Sequence, residues 1–281
     1  MLRVAVPNKG SLAEPSATML HEAGYRQRRD PKELVLVDSA NEVEFFFLRP
    51  RDIAVYVGVG QLDLGITGRD LLLDSGAAAE EVLQLGFAAS TFRFAARPDV
   101  ADTEEDFAGK RIATSYAGLV AKHLSDIGIQ AQIIRLDGAV ETSVRLGVAD
   151  VVADVVETGT TLRHAGLEVF GQPILESEAV LIGHAGGSST AAKDQLVRRL
   201  QGVLVARRYV MMDYDIEAEK LEAACAIAPG LESPTVSPLH SEGWVAVRVM
   251  VPRSRAQTVM DELWEMGARA ILTTDIHACR I

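Results

Sequence analysis

The sequence predicts an α/β protein made of two similar βα lobes facing each other across a cleft, followed by a small C-terminal βαββαβ domain. Three observations predict it. Through roughly the first 180 residues, short apolar strands run repeatedly into polar turns and helices. The second half of that stretch echoes the first, and from Tyr209 onward the order of elements changes. With 281 residues and 48% hydrophobic side chains, the chain can bury cores for two or three domains.

The first copy opens with a strand at residues 2–6 that leads through Pro7-Asn8-Lys9-Gly10-Ser11-Leu12 into a helix. A second strand, Glu44-Phe45-Phe46-Phe47-Leu48, ends at Arg49, and its aromatic run reads as a packed or dimer-forming strand. A helix at 52–57 and the turn Gly60-Gln61-Leu62-Asp63 precede the apolar Leu64-Gly65-Ile66-Thr67-Gly68. The second copy opens with Arg111-Ile112-Ala113, then Thr114-Ser115-Tyr116-Ala117-Gly118. It continues with a helix at 140–146, Gly147-Val148-Ala149-Asp150 and a strand at 151–156. None of these strands alternates cleanly, as expected of parallel strands covered on both faces. Pro98 and the acidic stretch 99–106 mark the expected crossing between copies, and strands at 167–169 and 179–182 mark the return. Lobe I is therefore expected over residues 1–95 and 179–208, and lobe II over 96–178.

A flexible His184-Ala185-Gly186-Gly187-Ser188-Ser189 link leads into a helix over 191–208, with Leu196, Leu200 and Leu204 on one face. Beyond it, a strand at 209–214, a helix at 216–227, strands at 236–239 and 244–251, a helix at 254–266 and a strand at 270–276 give the ferredoxin-like split βαβ order over residues 209–281. No catalytic group is evident there, which leaves regulation, assembly or pure scaffold.

Net charge is −11 and no polybasic block is present, which argues against nucleic-acid binding. No apolar run is long enough to span a membrane, and the opening residues read as a strand rather than a leader, so the expected location is cytoplasmic. Cys225 and Cys279 lack metal-ligand spacing and read as structural thiols, and the six histidines form no motif.

The segment from Glu141 to Leu162 is the most informative. A strand containing one acid, Asp154, delivers the chain into Glu157-Thr158-Gly159-Thr160-Thr161. Such a turn offers N–H groups and hydroxyls to a phosphate, most favourably where a helix starts. An acid four residues upstream can accept hydrogen bonds from sugar hydroxyls, and the combination suits a ribose 5-phosphate. A buried strand followed by a polar turn is also ordinary α/β architecture. Glu141 is read equally as a ribose contact and as an acid complementing a helix start.

This pattern, with Glu141, Gly147, Ala149, Val152, Asp154, Thr158, Gly159, Thr161 and Leu162 in place, resembles the signature of the ATP phosphoribosyltransferase family in its long form. Pro7-Asn8-Lys9-Gly10, residues 45–49, Gly65-Ile66-Thr67-Gly68 and Pro229-Gly230-Leu231 resemble that family's other recurring segments, so the resemblance spans the chain. The 5-phosphoribosyl diphosphate (PRPP) loops of other phosphoribosyltransferases differ, since they carry two adjacent acids where this chain has Ala153 before Asp154.

The resemblance implies two catalytic lobes with a duplicated architecture like that of periplasmic binding proteins, and a regulatory C-terminal domain. The implied reaction joins N1 of ATP adenine to C1 of PRPP with release of pyrophosphate, the first step of histidine biosynthesis. N1 already carries a lone pair, so positioning and electrostatics dominate over base catalysis. Asp154, Lys9 and Arg49 are the catalytic candidates, with Arg51 and Arg69 ranked below them. Glu141, Asp154, Glu157, Thr158, Gly159, Thr160 and Thr161 are expected at PRPP. Asp70, Leu71, Ser90 and Tyr116 are the nucleotide candidates, Tyr116 by stacking, hydrogen bonding or simple packing. Mg²⁺ is expected on substrate phosphates rather than in a protein cage. L-histidine is the implied effector, at Asp215, Leu231, Ser233, Thr235 and Ala270, although the Pro/Gly segment there also reads as a structural turn. The implied assembly is a homo-oligomer, dimer and hexamer. Two alternatives stay open: a cytosolic two-lobed ligand sensor, and a phosphoribosyltransferase with another acceptor.

Overall fold

The computed structural model describes residues 1–280. By packing it divides into two units, residues 1–21 with 25–194, and residues 22–24 with those from 195 onward. The sequence reading assigned 195–208 to lobe I, whereas packing groups these residues with the C-terminal unit.

In the first unit, lobe I contains β1 (Leu2–Pro7), α1 (Ala13–Glu22), β2 (Val35–Asp38), β3 (Val43–Leu48), α2 (Pro50–Gly58), β4 (Leu64–Gly68), α3 (Arg69–Ser75) and β5 (Ala79–Gln84). Lobe II contains β6 (Ser90–Ala96), β7 (Arg111–Thr114), α4 (Ala117–Asp126), β8 (Gln132–Arg135), α5 (Val140–Arg145), β9 (Val151–Val156), α6 (Thr160–His164) and β10 (Glu168–Ser177). The chain then returns through β11 (Ala179–His184) to the sheet of lobe I.

The expected duplication is present in five strands of each lobe, and β2 at the edge of lobe I has no counterpart in lobe II. Lobe I has the order β2-β3-β1-β4-β11-β5, and lobe II read from its far edge has β8-β7-β9-β6-β10. In each lobe three parallel strands (β3-β1-β4; β8-β7-β9) are followed by an antiparallel strand that has crossed from the other lobe. The outward crossing lies between β5 and β6, earlier than the expected one at Pro98, because residues 90–96 pair with β9 and β10. On the return only Glu178 separates β10 from β11. Arg69 braces this crossing. Its Nε donates to Glu81 at 2.6 Å, its NH2 lies 3.4 Å from Glu178, and the Glu178 carboxylate accepts the Gly86 N–H at 3.0 Å.

The lack of alternation in the parallel strands has the anticipated cause. Val4, Ala5 and Val6 are all buried, as are Val151, Val152 and Ala153, so both faces of these strands are covered. In β3, Phe45 and Phe47 are buried while Phe46 lies beneath the Arg3 guanidinium. Gly65 in β4 faces α2 so closely that a Cβ there would stand 2.5 Å from Ile53 Cγ2 and 3.1 Å from Val57 Cγ2.

The second unit takes in most of α7 (Ala191–Arg208), then β12 (Tyr209–Glu217), α8 (Leu221–Ile227), β13 (Thr235–Pro238), β14 (Trp244–Pro252), α9 (Ala256–Met266) and β15 (Arg269–Asp275). The sheet order β13-β14-β12-β15 and the βαββαβ sequence are those of a ferredoxin-like domain. Val210, Met212, Tyr214 and Ile216 alternate inward onto Val259 and Leu263 of α9. That alternation carries β12 three residues beyond the expected end, because Asp215, Ile216 and Glu217 still pair with Ala246, Val245 and Trp244. The expected helix from 216 is therefore a short 3-10 turn at 218–220 followed by α8. Cys225 and Cys279 are free thiols. Among the described residues no helix is long and apolar enough to cross a membrane.

Candidate active site

Parallel sheets gather their loops at the carboxyl ends of the strands, where open α/β sheets bind ligands. In lobe I these loops supply Lys9 after β1, Arg49 after β3, and Asp70 and Leu71 in the first turn of α3 after β4. In lobe II they supply Ser115 and Tyr116 after β7, Asp137 and Gly138 after β8, and the final residues of β9 with the threonine turn. Lys9, Arg49, Arg51, Leu71, Tyr116 and Asp154 line one cavity of about 540 Å³ between the lobes. This is within the usual size range of small-molecule sites, roughly 300–1,000 Å³.

A smaller adjoining cavity contains all four nucleotide candidates, Asp70, Leu71, Ser90 and Tyr116, together with Lys9 and Glu157. Asp70 is buried and tightly held. Its N–H donates to Ser177 Oγ at 3.1 Å, and that hydroxyl is 2.9 Å from Asp70 Oδ1. Tyr116 also hydrogen-bonds Asp70, and burial followed by the nearby Asp70 charge raises its phenol pKa. Tyr116 packs edge-on to Phe92 at 5.2 Å, so its packing and polar roles coexist.

Burial pushes the Asp154 carboxyl up to about 6; the charges of Glu141 and Asp70 add to this, while its bond from the Val155 N–H and the charge of Arg51 oppose it. Glu141 is thus an electrostatic neighbour of Asp154, though it does not line either cavity. Thr158 and Gly159 form the turn after β9, and Thr160 and Thr161 open α6, with Gly159 at φ +69°, which a residue bearing a Cβ rarely adopts. These four do not line the two cavities. Thr158 Oγ and Thr160 Oγ lie 3.0 Å apart, and Arg163 donates to Thr160 Oγ at 3.2 Å, leaving a cation beside the turn.

The arginines differ in their commitments. Arg51 bonds Asp74 at 2.5 Å and Arg69 is engaged at the crossing, whereas Lys9 and Arg49 have no carboxylate partner among the described residues. Asp52, Ser115, Asp137 and Gly138 also line the larger cavity, although sequence reading did not select them. The Asp137-Gly138 turn was the available signal, and Gly138 takes φ +119°.

In the second unit, Leu231, Ser233 and Thr235 line a cavity of about 300 Å³ with Arg248 and Arg280. Asp215 and Ala270 are not part of its lining. Asp215 faces Arg269 across the sheet, and Ala270 has a left-handed φ of +52° next to that pairing.

Fold and cleft define a bilobal α/β protein whose strand ends face one another, with uncommitted cations opposite a half-buried acid and a threonine turn. The family model described as ATP phosphoribosyltransferase matches residues 49–202, and the model of that family's C-terminal domain matches residues 206–278. The chain belongs to the ATP phosphoribosyltransferase family. ATP phosphoribosyltransferases of Streptomyces avermitilis and Streptomyces coelicolor are 68% and 66% identical to it, each over the whole of both chains. Among solved structures, a chain of the ATP phosphoribosyl transferase (HisG:HisZ) complex from Thermotoga maritima aligns with a TM-score of 0.64 at 26% identity. That alignment covers 73% of this chain and 98% of the other.

Proposed function

We propose that the cleft of lobes I and II joins N1 of ATP adenine to C1 of PRPP and releases pyrophosphate, the first step of histidine biosynthesis. The observation that carries this reading is the placement of Asp154 in one cavity with Lys9 and Arg49, directly ahead of the Thr158–Thr161 turn. In this reading the Asp154 carboxylate accepts the ribose hydroxyls, and the turn with Glu157, Thr158, Gly159, Thr160 and Thr161 holds the 5-phosphate. Lys9 and Arg49, free of acid partners, meet the pyrophosphate as the C1–oxygen bond breaks. Asp70, Leu71, Ser90 and Tyr116 hold the nucleotide so that N1 faces C1. N1 supplies its own electron pair, so orientation and preorganised charge carry the rate.

The cleft residues fit Mg²⁺ carried on substrate phosphates. This ion binds readily through phosphate oxygens while keeping waters, and Asp52, Asp137 and Asp154 along the cavity could receive those waters. When bound, Mg²⁺ supplies further neutralisation of the pyrophosphate charge. Pyrophosphate release followed with ATP, PRPP and Mg²⁺ tests the reading. Release that needs a free base in place of ATP, or its absence with both substrates, would overturn it.

The ferredoxin-like domain is proposed to bind L-histidine as a feedback effector. Leu231, Ser233 and Thr235 share a cavity with Arg248 and Arg280, cations suited to an amino-acid carboxylate. Asp215 and Ala270 would join only at the margin of that site. We also propose self-association, since lobe I exposes Leu34, Val35, Val37, Val55, Tyr56 and Val59. Sedimentation at micromolar concentration checks it, and a monomer throughout would contradict it.

A further inference from the structure

The first four N–H groups of a helix have no partner within it. Helix α4 of lobe II starts after Tyr116, which gives no side-chain cap. Its acceptor comes from the other lobe. Asp74 of α3 accepts the N–H of Gly118 at 2.9 Å and of Leu119 at 3.1 Å, both on Oδ1. Its second oxygen accepts Arg51 NH1 at 2.5 Å, and the Arg51 guanidinium lies 4.9 Å from the centre of the Tyr116 ring. One carboxylate therefore joins α2, α3 and α4 behind the cavity that Arg51 and Tyr116 line. The Asp74 side chain is only 10% exposed, and its bonds to Leu119 and Arg51 are partly buried, while that to the Gly118 N–H lies at the surface. The approach is also sterically specific, since a Cβ at Gly118 would collide with the Asp74 backbone carbonyl.

We propose that Asp74 is a positioning residue for the reaction, a clasp between the lobes that sets the cleft width and turns Arg51 onto Tyr116. This rests on the reading of the cleft as the active site. Asp74 lines neither cavity of the cleft, and its effect passes through Tyr116 and Arg51 to the nucleotide side.

The test uses the full chain. In Asp74→Ala, amide hydrogen exchange over Gly118 and Leu119 should quicken by about tenfold or more, since both amides lose their acceptor. The same variant should lose about ten- to a hundredfold in kcat/KM, with KM for ATP rising more than KM for PRPP. Gly118→Ala keeps every charge but forces the seam apart, and should reproduce this pattern. The double variant should be no worse than the poorer single, because both act through one contact. Asp74→Glu should recover part of the loss.

Unchanged exchange in Asp74→Ala, kcat/KM within twofold of the parent, or full additivity in the double variant would each overturn the clasp. Should Asp74→Ala fail to fold, Asp74→Asn keeps the shape and an acceptor while losing the charge facing Arg51; parental exchange and kinetics in that variant would overturn the proposal as well. A parent chain without ATP- and PRPP-dependent pyrophosphate release would remove the reading of the cleft, while the exchange data would still judge the clasp.

Discussion

At the scale of single residues, Asp154 carries opposed demands. Its folded carboxyl, pushed up to about 6 chiefly by burial, holds its proton more tightly than the unfolded side chain does. Between about pH 4 and pH 6 the folded state therefore binds the extra proton, and stability falls as pH rises through that window. Above pH 7 the ionised, half-buried group costs about 1–3 kcal/mol. Asp154→Asn should therefore melt higher than the parent at pH 7.5, with the difference closing towards pH 4, while turnover falls by about tenfold or more. A melting difference independent of pH, measured by calorimetry, would show that the ionisation of Asp154 is not its source. Thr161→Val removes one hydroxyl from the proposed phosphate turn and should weaken PRPP, costing about 1.5–3 kcal/mol. Lys9→Ala should weaken PRPP more than ATP in calorimetric titration, because Lys9 is placed to meet the pyrophosphate; equal losses would give it a general electrostatic role.

At the scale of elements, Gly65 lets α2 lie directly on β4. Gly65→Ala should destabilise the chain by about 1–3 kcal/mol, since the new methyl meets Ile53 and Val57 in a filled core. Denaturant unfolding checks this, and an unchanged midpoint would mean that α2 can yield. The same contrast shows what was readable in advance. The duplicated strands and their loops could be seen because periodicity and Gly-x-x-Asp turns are local, and Asp154, Lys9 and Arg49 sit at ends of such strands or in the loops after them. The extension of β12 through Glu217 depends on partners about 30 residues later, so local helix propensity misplaced the start of α8. Asp74 escaped notice for the same reason. Within its own helix it is an ordinary acid, and its partners Gly118 and Leu119 are 44 and 45 residues away.

At the scale of the whole molecule, control requires an effector that prefers one state of the enzyme, because equal affinity for two states shifts nothing. L-histidine should lower the rate without displacing ATP, and Asp215→Lys should relieve inhibition while retaining activity. Inhibition of that variant at the parental histidine concentration would exclude Asp215 from the effector site. No binding of histidine to the intact chain, measured calorimetrically, would remove the regulatory reading altogether.

The return of β11 has a consequence for how the molecule is made. Lobe II, from β6 to β10, is continuous in sequence, but β4 and β5 of lobe I are joined only through β11 between them. A chain leaving the ribosome therefore emits most of lobe I first and cannot close its sheet until residues 179–184 emerge. The inserted lobe is free to fold ahead of the lobe that precedes it. Until then the edges of β4 and β5 remain open, which makes the half-synthesised chain the species with most need of a chaperone.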